Sequence, residues 1–171
     1  MNELGGINMS ITVLLLAAVG VGFMTGLRAF TPIALICWLA VWGWIPLAGS
    51  PLSFLGTITG AIITSTLALA ELIGDKLPQI PARLAPGPLG GRVITGALSG
   101  MAICLAGGQT WMVGVLGGAL GAVAGSFAGY HTRRSLVRAT GLPDLVVAIA
   151  EDLFTVGGTL FLLSRLFGKS V

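Results

Sequence analysis

GLPDLVVAIAEDLFTVGG, residues 141–158, opens an apolar run that continues to Leu163 and carries Glu151 and Asp152 side by side in its middle. Two adjacent carboxylates inside a segment apolar enough to enter a bilayer are costly. A chain keeps them there when they face protein, water or a ligand. The other unusual charges are Arg28, Glu71, Asp75, His131 and Arg134, and their placement predicts that they gather around this pair. Upstream, Gly141-Leu142-Pro143-Asp144 reads as a helix stop followed by a new start, since proline is accepted in a first helical turn.

The rest of the chain fixes the solvent. It has 171 residues, one domain's worth; 55% are hydrophobic and 9% charged, and mean hydropathy is +0.99. A soluble fold of this size has no polar surface with which to cover so much apolar area, so the solvent is lipid. The 27 glycines fit that solvent, because small residues let membrane helices approach closely. Cys37 and Cys104 each lie in an apolar run and read as buried structural thiols. The first eight residues hold Glu3 and no Lys or Arg, so the run after Ser10 reads as a retained first helix and not as a signal peptide. No basic run is interleaved with aromatics, so the net charge of +3 does not point to nucleic acid. The expected partner is the lipid bilayer.

In chain order, residues 1–10 are a short lead, 11–166 a single transmembrane domain and 167–171 a tail. Residues 11–27 make a first apolar segment, followed by Gly-Leu-Arg-Ala-Phe-Thr-Pro at 26–32. Proline disfavours helix at the residue before it, which predicts a break near Thr31. A second segment, 33–47, carries Trp38, Trp42 and Trp44, an interfacial belt. Residues 11–47 are then two short spans or two half-helices meeting at Arg28. A turn over 48–53 leads to a third span, 54–73. Residues 78–91, with Pro78, Pro81, Pro86 and Pro88, read as a loop before a short fourth span at 93–106. The fifth span covers 111–130, with a helical extension through 131–138, and the sixth covers 145–163. The expected fold is an all-α membrane bundle of about six segments, some short or broken, with a candidate three-plus-three inverted repeat.

Charge placement orients it. Of the nine Lys and Arg residues, seven (Arg28, Lys76, Arg83, Arg92, Arg133, Arg134, Arg138) fall in alternate loops, and only Arg165 and Lys169 lie on the other side. The positive-inside rule puts the seven in the cytoplasm. Gly117, Gly121, Gly125 and Gly129 repeat every four residues, as do Gly56/Gly60 and Gly96/Gly100. Such stripes serve packing within one chain or a homodimer face.

This arrangement crowds the polar groups into one half of the bilayer. Glu71 and Asp75, four apart, share a helix face, and with Glu151 and Asp152 they bring as many as four carboxylates together. Such anions need arginine partners, a bound cation, or protons. Ion pairs alone would be structural, joining the first span to the third and sixth. A cation or proton site would carry transport or catalysis, and a hard divalent cation suits an oxygen-rich set at Glu71, Asp75, Glu151 and Asp152. Arg28 would be their counter-ion or an anchor for an anionic group. His131, Arg133 and Arg134 are candidates for a proton relay or for phosphate contacts, beside their plainer role of setting topology. No catalytic residue is identified: Gly168-Lys169-Ser170 lacks the first glycine of a phosphate loop, and HExxH, paired CxxC and GxSxG are absent.

Four motifs carry a resemblance: Gly-Leu-Arg-Ala-Phe-Thr-Pro at 26–32, Glu-Leu-Ile-Gly-Asp-Lys-Leu-Pro at 71–78, Gly-Tyr-His-Thr-Arg-Arg at 129–134 and Ala-Glu-Asp at 150–152. Over about residues 11–166 the chain resembles the bacterial membrane-protein family catalogued as domain of unknown function 4126. The resemblance implies a small integral protein of the inner membrane and supplies no activity. The leading expectation from the residues is a transporter or permease with a carboxylate-rich site for a cation or protons. The alternatives are a metal-dependent membrane enzyme acting on lipid-linked phosphates, and a non-catalytic assembly or lipid-binding factor.

Overall fold

The computed structural model describes residues 9–74, 84–141 and 143–168. Among them are six α-helices and no strand: α1 Ile11–Leu27, α2 Thr31–Val41, α3 Ile58–Gly74, α4 Pro86–Ala106, α5 Trp111–Thr140 and α6 Asp144–Phe167. A 3-10 turn at Ser53–Gly56 precedes α3. By length and composition α4, α5 and α6 are apolar enough to cross a membrane, and α1, α2 and α3 are shorter apolar helices of 17, 11 and 17 residues. The all-helical membrane bundle expected from hydropathy is therefore present.

At the centre of the bundle three helices meet in backbone contact. α1 packs against α5 and α4, and α4 against α5. A Cβ on Gly22 or Gly96 would strike the carbonyl oxygen of Gly118, and one on Gly100 would strike that of Gly114. Gly121 and Gly125 meet the backbone of Val19 and Phe23 in the same way. The repeats at 96/100 and 117/121/125 thus bring helix axes together inside the chain, whereas Gly56 meets only the Ala40 side chain and Gly60 the turn that precedes α3. Contacts between bare backbones replace the side-chain burial that drives packing in water. Ser126 adds a polar tie, its hydroxyl donating to the carbonyls of Ala122 (2.8 Å) and Gly26 (3.2 Å).

α6 runs antiparallel to α1: Gly158 faces Met24, and Gly20 faces Leu162. α2 folds back beside α1, because Ile33, Ile36 and Cys37 join the same buried core as Leu14, Leu163 and Phe167 from the far ends of α1 and α6. α3 is the outermost helix, packing on α2, where the Trp38 indole donates to Ser65 Oγ at 3.0 Å. Cys37 and Cys104 are both buried free thiols, as their apolar surroundings predict. Trp42, Trp44 and Trp111 are exposed at the end of the bundle opposite Arg28, where interfacial tryptophans belong.

Several boundaries differ from the sequence reading. The fourth helix is not short. It begins at Pro86, inside the stretch read as loop, and has 21 residues. Pro86 and Pro88 occupy the first turn, where no intrahelical N–H is needed, so the prolines start the helix instead of excluding it. The break expected near Thr31 falls earlier, at 28–30, and Pro32 sits in the first turn of α2. The second segment ends at Val41, before Trp42 and Trp44, and the third begins at Ile58 after the 3-10 turn. The extension of the fifth helix through 131–138 is present and runs to Thr140, where Gly141 at φ +65° ends it. A left-handed residue there is the common helix stop, and glycine adopts it without strain.

Candidate functional site

Arg28 sits at the point where α1 stops. Its backbone is extended (φ −138°, ψ 112°), and at 1% exposure its side chain is among the most buried in the protein. A guanidinium at that depth requires an anion. α6 supplies one: Arg28 Nε donates to Asp152 Oδ1 at 2.5 Å.

The chain after Arg28 must start a new helix with its first N–H groups unsatisfied. Glu71, near the end of α3, accepts two of them. Ala29 N–H donates to Oε1 (2.8 Å) and Phe30 N–H to Oε2 (3.0 Å). A carboxylate at a helix N-terminus also meets the positive end of the helix dipole. Arg92 Nη2 of α4 lies 3.8 Å from Glu71 Oε1, and Arg92 is 3% exposed. Glu71 therefore joins α3, α4 and the α1–α2 break. Glu71→Ala leaves two backbone donors orphaned and removes an anion from a buried arginine. The expected loss is about 3 kcal/mol, read as a lowered unfolding midpoint of the purified protein in detergent.

Glu151 points elsewhere. Neighbours on a helix project about 100° apart, so the adjacent carboxylates serve different walls. Asp152 turns to α1, while Glu151 turns to α5, where Arg133 Nη1 lies 3.6 Å from Glu151 Oε2. The same guanidinium makes a two-pronged contact with Asp144, Nε to Oδ1 at 2.7 Å and Nη2 to Oδ2 at 2.5 Å. Asp144 and Glu151 are seven apart, two turns along one face of α6. The Asp144 carboxylate is 63% exposed and that of Glu151 only 10%, so Arg133 links a solvated anion to a sheltered one.

Beside this pair the α5 and α6 helices diverge, leaving a cleft of about 500 Å³. Phe23, Leu27, Leu136, Val147 and Phe154 make its apolar walls, and Arg133 and Glu151 are the charged residues lining it. Phe154, Val146 and Leu136 are exposed, so the cleft opens sideways on the apolar flank of the bundle.

The structure thus brings together Arg28, Glu71 and Asp152, and places Arg133 with Glu151 one helix face away. His131 and Arg134 stay exposed on α5. The His131 ring stands edge-on to Tyr130 (5.3 Å), and Arg134 Nη1 donates to the Tyr130 hydroxyl at 3.4 Å. Asp75, with Lys76 and Arg83, lies outside the described residues. Among the described residues no three of His, Cys, Asp and Glu stand close enough to hold a metal ion together. Arg92 and Asp144 are the members the sequence reading missed. Once Pro86 starts the helix, Arg92 is a charge inside an apolar helix, the same signal that marks Glu151. The seven-residue spacing of Asp144 and Glu151 was also visible in the sequence.

No curated protein and no solved structure matches the chain. The model of one family, described as a domain of unknown function (DUF4126), matches residues 15–165, a stretch that runs from α1 through α6 and takes in every member of this ionic cluster. On that match the chain belongs to the DUF4126 family.

Proposed function

We propose that the protein is a small membrane transporter or permease in which the Arg133–Glu151 pair, on the wall of the α5–α6 cleft, is the working site for a cation or protons. The observation that carries this reading is the sheltered carboxylate of Glu151 on an accessible cleft, held by an arginine that also grips an exposed alternative partner, Asp144. Such a carboxylate can exchange its arginine for a cation or a proton while Arg133 stays neutralised by Asp144. The arginines of the Arg28–Asp152 and Glu71–Arg92 contacts are buried more deeply than Arg133, and these contacts hold the break between α1 and α2. Broken helices with charges at the break recur in transporters.

The proposal places the protein in a bacterial inner membrane with the charged end toward the cytoplasm, which the distribution of Lys and Arg supports. An inverted repeat would pair α1 with α4, α2 with α5 and α3 with α6. α1 and α4 do run antiparallel, but α2 has 11 residues against 30 in α5, and the proposal does not depend on the repeat. A pathway walled on all sides needs more helices than these, which favours a homodimer.

The test is flux. Liposomes carrying the purified protein should dissipate an imposed pH gradient or cation gradient faster than protein-free liposomes, followed with an entrapped indicator dye. Rates equal to protein-free liposomes for protons and for every cation tried would end the proposal.

A further inference from the structure

The α5–α6 cleft has a chemistry of its own beyond the carboxylate at its wall. It is apolar along its length and opens on the flank of the bundle, where the surroundings are acyl chains and not water. Its charged end is at the α5 terminus, which carries Arg133, Arg134 and Arg138 within six residues. An apolar slot of about 500 Å³ has the size of an ordinary small-molecule site. A slot with a basic end fits a molecule with an aliphatic tail and an anionic head.

Arg133 shows how the head would be held. Its Nε and Nη2 form a fork on the two oxygens of Asp144. That is the geometry by which a guanidinium grips a phosphate or a carboxylate. Asp144 is largely exposed, so water replaces Arg133 around it at little cost when another anion takes the fork. Asp144, on the Arg133 fork, marks where the headgroup would sit.

We infer that the cleft binds an anionic phospholipid of the surrounding leaflet, one acyl chain between α5 and α6 and the phosphate on the Arg133 fork. The inference rests on the reading of this cleft as an accessible site and names its ligand. The phosphate would displace Asp144 from Arg133 and leave Glu151 with a weakened partner, so lipid occupancy and the state of Glu151 are coupled. The neighbouring Arg134 and Arg138 add long-range attraction for the same headgroup.

The experiment is native mass spectrometry of the detergent-solubilised protein titrated with phosphatidylglycerol and, separately, with phosphatidylcholine of the same acyl chains. Wild type should retain one phosphatidylglycerol with at least about tenfold preference over phosphatidylcholine, which offers the fork the same phosphate but brings a quaternary ammonium against the arginines at the α5 end. Arg133→Gln should weaken binding of both lipids at least about tenfold, the size of one charge-assisted hydrogen bond. Ala150→Trp, at an exposed helix position lining the cleft, should weaken binding of both lipids by filling the slot while leaving the ionic groups in place. Equal binding of the two lipids, or an unchanged affinity in both variants, would overturn the inference. So would a cleft filled by a second copy, seen as a dimer that binds no lipid and is broken by Ala150→Trp. The flux assay in liposomes made only of phosphatidylcholine separates the two ideas, because cation or proton flux there leaves the transporter reading standing when lipid binding fails.

Discussion

Gly118→Val should leave almost no folded protein. Gly118 stands where three helices meet: its own Cβ would fall on the carbonyl oxygen of Gly96, and its backbone is what Gly22 and Gly96 rest against. Backbone atoms on both sides cannot rotate away as a side chain can, so α1, α4 and α5 must separate to admit the valine. Overpacking in a close-packed interior commonly costs a few kcal/mol, and here the obstacle is the main chain of two neighbours. The expected loss is about 4 kcal/mol or more, in the tail of single-substitution effects. The measurement is the yield of monodisperse protein in detergent and its melting temperature. Gly157→Val is the control: Gly157 is exposed on α6 with nothing within 4 Å of a Cβ, so that variant should fold as wild type does. Normal folding of Gly118→Val would mean that the three helices are not in backbone contact.

Asp152→Leu is expected to be the next most damaging change. It removes the carboxylate that receives Arg28 Nε and leaves a guanidinium of 1% exposure short of an anion. Breaking a buried pair from one side costs about 3–5 kcal/mol, and the lower end applies because Asp152 is itself 20% exposed. The double variant Arg28→Met with Asp152→Leu should recover most of that loss, because a buried pair replaced by apolar groups is often neutral. Chemical unfolding of the two single variants and the double variant gives the coupling, expected at about 1.5–3 kcal/mol. Additive losses would show that the two side chains act independently.

The glycine contact and the ion pairs behind these two results were only half legible in the sequence. Helix identity was legible because hydropathy over a span needs no tertiary information: α1 was read to its exact ends, and α6 to within a few residues. Prolines were misread where their meaning depends on position. Pro86 and Pro88 mark a loop if the helix follows them and a helix start if they lie in its first turn, and composition does not distinguish the two. Arg92 was overlooked for that reason. The association of Arg28, Glu71 and Asp152 followed from the price of charges in lipid, which forces partners upon them. That Glu151 would leave its neighbour and face Arg133 required the rotation of α6, which is set by Gly158 against Met24 and Gly20 against Leu162. His131 and Arg134 share the sequence segment of Arg133 but not its helix face, so a reading by segment grouped what the helix separates.

The claim that Glu151 works at the cleft while the Arg28 and Arg92 pairs hold the fold is tested most directly by one substitution. Glu151→Gln keeps the shape of the side chain and its capacity to accept from Arg133, and removes only the charge. Its melting temperature should stay within about 4 °C of wild type, the scale of a loss near 1 kcal/mol in a chain of this size. Gradient dissipation in liposomes should fall to the protein-free rate. A folded Glu151→Gln protein that dissipates the gradient at the wild-type rate would contradict the assignment and leave the Arg133–Glu151 contact as one more structural ion pair.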